Sequence, residues 1–82
     1  MNTSNADILT AAIRAETVVQ FRYPSHGVLV LRTFSPWEMA EDGESLLGYD
    51  HGREGIRRFS ISKITGEIVP DDGADNYVQP QS

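Results

Sequence analysis

A small, mainly β domain with one N-terminal helix is the fold class this sequence predicts, and three observations predict it. Apolar residues recur at helical spacing only near the N-terminus. From Thr17 the apolar period changes to two. Short apolar runs then alternate with turns rich in Gly, Pro and Asp as far as Pro70.

The helix is announced by Ser4, followed three residues later by Asp7 in a capping-box-like start, with Asp7 also suited to the positive end of the helix dipole. Ile8, Leu9, Ala12 and Ile13 form one apolar stripe, and Arg14 complements the dipole at the far end. A helix of about ten residues is marginal in isolation, so it must dock on the rest of the chain.

In "TVVQFRY" the alternation sets Val19, Phe21 and Tyr23 on one face and Val18, Gln20 and Arg22 on the other. "PSHG" reads as the turn that follows. "VLVLRTF" is apolar on both faces at its start, as expected of a strand covered on both sides. "SPWEMAEDGE" breaks regularity at Pro36 and closes in an acidic turn at Asp42-Gly43. "SLLGYD" and "IRRFSIS" are the next strands, "KITG" a short helical or 3₁₀ turn, and "EIV" a last strand. Five short antiparallel strands with one helix laid against them suggest a small, strongly bent five-stranded barrel of the SH3 or Sm kind, which also hides the edges a flat sheet would leave. The domain is expected over residues 1–70, with an acidic flexible tail over 71–82.

Eighty-two residues suffice for one small domain. With no cysteine, disulfides and thiolate chemistry are excluded, and a zinc site is disfavoured. No apolar run approaches the roughly 18 residues of a membrane span, and the N-terminus lacks the basic start of a signal peptide. A cytoplasmic protein is expected, with no membrane partner. Residues 1–66 hold eight acidic residues and all seven basic ones, for a net of −1; the last sixteen carry Glu67, Asp71, Asp72 and Asp75 with no base, the other −4. The acidity therefore belongs to the C-terminal end, and a local basic patch is compatible with it.

Asp50, His51, Arg53 and Glu54 crowd one loop as active-site residues might, yet adjacency is not a dyad, because consecutive strand residues face opposite sides. No G-x-S-x-G, H-x₃-H or H-E-x-x-H pattern is present. No catalytic residue, metal ligand or cofactor is assigned, and the loop reads as a turn between strands. Arg53, Arg57, Arg58 and Lys63 allow two readings: a phosphate-binding strip with Phe59 or Tyr49 nearby for stacking, or salt bridges to Glu44, Asp50 and Glu54 across the hairpin. Trp37 is either a lid on the core or an exposed contact site.

Taken together, "AIRAETVVQFRY", "RTFSPWEM" and "LLGYDHGREGIRRFSISKITGEI" resemble the WYL domain, from about Ile8 to Val69. That family is typified by an F-x-Y strand, an R-x-x-x-P link, a W-Y-L-x-G-Y-D strand and an R-x-F-x-L-D-R-I strand and turn. The most specific match is Gly48-Tyr49-Asp50 followed by Arg57, Phe59, Ile61, Lys63 and Ile64 in register. The name-giving triplet falls on Glu44-Ser45-Leu46; Ser60 and Ser62 stand where arginine and aspartate are expected, and Lys63 replaces an arginine.

The resemblance implies an Sm-like barrel that senses a ligand, commonly a nucleotide or single-stranded nucleic acid, within bacterial transcription or defence regulators. Arg22, Arg32, Arg57 and Lys63 are the ligand-binding candidates it points to, and the spacing adds Arg58 and Tyr49. The chain leaves no room for a winged helix, so the expected role is a non-enzymatic accessory module acting with a larger regulatory protein. The alternative is a protein-interaction or self-associating module, a homo-oligomer or a phage or mobile-element product, with no small ligand. Its acidic tail would then occupy a basic groove.

Overall fold

The computed structural model describes residues 4–71 and 76–80. Helix α1 (Asn5–Ala15) starts where the sequence places it: the Ser4 hydroxyl accepts the Asp7 amide at 3.1 Å. It ends at Glu16, a left-handed residue (φ 53°) whose amide turns back to the last carbonyls of the helix. Leu9 and Ala12 are buried, and Ile8 and Ile13 pack beside them.

The strands are β1 (Val19–Ser25), β2 (Val28–Met39), β3 (Ser45–Asp50), β4 (Gly55–Ser60) and β5 (Thr65–Pro70), with a 3₁₀ turn, η1 (Ile61–Lys63), before the last. They form one antiparallel sheet in the order β4-β3-β2-β1-β5. The sheet is strongly bent. In a flat sheet β1 and β4, three places apart, would stand about 14 Å from each other. Here Phe21 and Tyr23 of β1 meet Phe59 of β4 edge-on, with ring centroids 5.4 and 4.7 Å apart, and the Ser60 amide donates to the Tyr23 hydroxyl at 3.0 Å. β4 and β5 remain the two ends of the sheet, which curls without closing.

Phe21, Phe34, Leu46 and Phe59 centre the core, capped by Leu9 and Ala12 from the helix and by Ile61, Ile64 and Ile68 from the chain beyond β4. The two central rings sit on neighbouring strands because Val19 pairs with Phe34 and Phe21 with Arg32, which alternates Phe21 and Phe34 along one face.

Four expectations need correction. The turn after β1 is only His26-Gly27: both have positive φ (51° and 81°), the geometry a two-residue hairpin requires, so the strands run through Pro24 and Ser25. Pro36 does not end a strand. β2 continues to Met39 through a register shift between Pro36 and Glu38, which inserts Trp37 as an extra residue where proline has no amide to donate. The 3₁₀ turn starts at Ile61, cutting β4 short at Ser60. The start of β2 is not covered on both faces: Val28, Leu29 and Leu31 are 62%, 49% and 57% exposed.

Residues 76–80 run back across β2, where the Tyr77 hydroxyl donates to the Pro36 carbonyl at 2.6 Å and the Val78 amide to the Ser35 hydroxyl at 3.0 Å. Trp37 Nε1 donates to the Val78 carbonyl at 2.7 Å, and Gln79 bonds to Glu16. Trp37 is thus half-buried beneath the tail. The acidic Asp72 and Asp75 lie outside the described residues.

Candidate functional site

Asp50 settles what the polar loop after β3 does. It is fully buried, placed on the core face by its pairing with Phe34. Its Oδ1 accepts the amides of Gly52 and Arg53 at 3.0 and 3.3 Å, an Asx-type turn that fixes the loop. Its Oδ2 faces Arg32 Nη1 at 3.5 Å. The carboxylate organises the turn.

That pairing changes the status of Arg32. It is 7% exposed and its guanidinium lies 5.9 Å from the Phe59 ring centroid, inside the bend of the sheet. Among the described residues neither Arg32 Nε nor Asp50 Oδ2 makes a hydrogen bond, so the two are held by charge and burial. Arg32 is an internal cation rather than a surface donor.

The other candidates divide between the two faces of the sheet. Arg57 pairs with Gly48 and shares the inward face with Phe59, but lies nearer the loop and is exposed. Arg58 and Tyr49 share the outward face of β3 and β4, where Arg58 donates to the Ser45 hydroxyl at 3.3 Å and the half-buried Tyr49 ring stands edge-on to His51 at 5.3 Å. Arg22 points outward from β1, opposite Leu31, with β2 and β3 between it and Arg58. Lys63 is exposed on η1. Phe59, weighed as a stacking platform, is 3% exposed and belongs to the core.

The geometry therefore does not gather the six candidates into one groove. It does bring three of them to one margin. β4 is an edge of the sheet, so Arg57 and Arg58 flank that edge from opposite faces, and Lys63 follows where the strand ends. The weighed salt bridges to Glu44, Asp50 and Glu54 do not form: among the described residues Arg32–Asp50 is the ion pair present.

A polar cluster on the outward face escaped sequence reasoning. Ser35 pairs with Tyr49, and its buried hydroxyl meets His51 Nε2 at 2.7 Å while accepting the Val78 amide. The tail covers this serine, so the contact is a clasp between β2, the loop and the tail, with no exposed nucleophile. Only the alternation Tyr49–His51 hinted at it. The phenol of Tyr77 is pushed above its ordinary range, first by burial and second by the charge of Glu16. Among the described residues no group of three or more His, Asp or Glu is placed to hold a metal ion, and no helix is long and apolar enough to cross a membrane.

The chain matches none of the curated proteins. Among solved structures it is similar to proteasome accessory factor B/C (PafBC) of Arthrobacter aurescens, with a TM-score of 0.77 at 24% identity. That likeness covers 99% of this chain and 14% of the other, so the chain spans a small part of that protein's length. The WYL domain matches residues 4–67, a span that takes in α1, the first four strands, the Asp50 turn and the arginines of the β4 margin. With sequence pattern, bent sheet and family match in agreement over most of its length, the chain belongs to the WYL domain family.

Proposed function

We propose that this WYL domain is a regulatory sensor module that takes a nucleotide or a short single-stranded nucleic acid along the β4 margin. Arg57, Arg58 and Lys63 carry that reading. They are exposed, the two arginines flank one sheet edge with Lys63 just beyond its end, and no carboxylate among the described residues neutralises them. Guanidinium groups on either side of an edge suit the phosphates of an extended strand, which both arginines can grip at once. Tyr49, on the Arg58 face, would stack a base; Phe59 is committed to the core. Arg22 lies elsewhere on the sheet and is left out of this site, and Arg32 supports it from within through Phe59 and Asp50. The module would report its ligand to a larger regulatory protein.

The test is fluorescence anisotropy with labelled single-stranded DNA and RNA oligonucleotides over a range of salt concentrations. Binding should weaken with salt, and Arg57→Ala or Arg58→Ala should each lower the slope of log affinity against log salt by about 0.7, the share of one phosphate contact on a single strand. Arg22→Ala should leave the slope unchanged. Flat titrations at low salt, where attraction is strongest, would overturn the reading.

A further inference from the structure

The first half of β2 is an open edge of a second kind. β3 pairs with β2 only from Phe34 to Met39, so, among the described residues, 28–32 have β1 on one side and no strand on the other. Direction is set by one bond: the Thr33 carbonyl accepts the His51 amide, so Thr33 points its backbone groups to the β3 side. By alternation Leu31 and Leu29 point theirs the same way, while Val28, Val30 and Arg32 turn theirs to β1. Two donors and two acceptors are thus aimed outward between exposed apolar side chains, Val28 on one face and Leu29 and Leu31 on the other.

Such an edge is ordinarily blunted by a charge, a proline or a bulge. This one has none of them: Val28-Leu29-Val30-Leu31 is uncharged and rich in strand-forming residues, and Arg32, the next charge, is buried with Asp50.

We propose that this edge pairs with the same edge of a second copy, antiparallel about a two-fold axis through Val30. In that register Leu29 of one protomer lies opposite Leu31 of its partner, and the reverse, which uses all four outward backbone groups on each side and stacks the leucines as cross-strand pairs. The segment suits itself because it carries no charge to repel its own copy, and the two-fold closes the assembly at a dimer. The register is also compatible with the His51 contact. Opposite Thr33, where His51 already occupies the edge, the partner is at Gly27 and turning away. Sliding by two residues toward the loop would set Leu29 of the partner against the occupied Thr33 carbonyl. With five residues a side, against the roughly 20–30 of standard interfaces, the dimer is reversible and concentration-dependent.

The experiment is sedimentation equilibrium of the full chain across a wide concentration range, with two double variants, L29K/L31K and L29E/L31E. Both positions are exposed, and circular dichroism checks that each variant folds. The wild type should show a concentration-dependent doubling of mass. Each variant alone should lose it, because like charges then face each other in both cross-strand pairs, and an equimolar mixture of the two should regain it. A wild type monomeric throughout would overturn the proposal. So would a dimer that survives in either variant alone, since another surface would then hold the copies together.

Discussion

Arg32 and Asp50 form a buried ion pair across the bend of the sheet, 3.5 Å apart, between two strands and beneath the core aromatics. Asp50 divides its oxygens between that cation and the amides of its own loop. The pair therefore couples the middle of β2 to the turn leading into β4, the strand that carries Arg57 and Arg58.

Removing one partner of such a pair leaves an uncompensated charge in the interior. Arg32→Ala should destabilise the fold by about 3 kcal/mol, the lower end for a broken buried pair, because the loop amides still hold Oδ1. Urea unfolding measures this as a shift in midpoint at unchanged slope. A loss below about 0.5 kcal/mol, the size of ordinary surface changes, would mean the pair is not buried in solution. It follows that Arg57 and Arg58, not Arg32, are the arginines with which to probe ligand binding.

Gly48 is held to its identity by close approach. A Cβ there would meet the Ser35 carbonyl oxygen at 2.2 Å and Phe34 Cζ at 2.6 Å, one of them backbone and the other in the fully buried core. Neither can withdraw cheaply, so Gly48→Ala should cost about 3 kcal/mol, the upper end of overpacking. Thermal unfolding read by circular dichroism would show it. Gly27→Ala makes a useful contrast: it has open space around it and only its positive φ to lose, which costs about 1 kcal/mol.

What could be read from the sequence was whatever has a short period or a local signal. The Ser4 cap, the Ile8-Leu9-Ala12-Ile13 stripe and the alternation through Phe21, Leu46 and Phe59 all act within a few residues, and each reappears in the structure. The relationships that organise the candidate site act across strands. Arg32 meets Asp50 because of the register that sets Phe34 opposite Asp50, and no spacing in the sequence encodes that register. The contacts of residues 76–80 were illegible for another reason: Tyr77 and Trp37 bond to backbone carbonyls, and every residue offers the same carbonyl whatever its side chain. Pro36 misled because proline usually stops a strand, whereas here the Trp37 bulge absorbs the missing donor.

Ser35→Ala tests the clasp between β2, loop and tail. The hydroxyl is buried and serves both His51 and the Val78 amide, so its loss strands a donor on the tail. We expect about 1 kcal/mol of destabilisation, the lower part of the range for an unsatisfied group because Val78 is only half-buried. Trp37 emission should shift as its partner Val78 loosens. An unchanged emission spectrum with full stability would show that the Trp37 and Tyr77 bonds hold the tail without Ser35.

Tyr77 gives the tail a pH dependence whose sign follows from its surroundings. Burial, and to a smaller degree the charge of Glu16, raise its phenol above the ordinary range, so the fold favours the protonated form. The unfolded chain then ionises first as pH rises. The stabilisation is fully present below the ordinary tyrosine value of about 10 and is lost as pH climbs through the raised folded value. Ionisation also removes the donor that reaches the Pro36 carbonyl. Trp37 fluorescence should therefore change in an alkaline step. Tyr77→Phe should abolish that step and cost about 1 kcal/mol at neutral pH, one hydrogen bond's net worth. Glu16→Gln removes only the smaller cause, so its step should move to lower pH yet remain above that of a free tyrosine. If the wild type and Tyr77→Phe show the same alkaline step, Tyr77 is not the group that holds the tail.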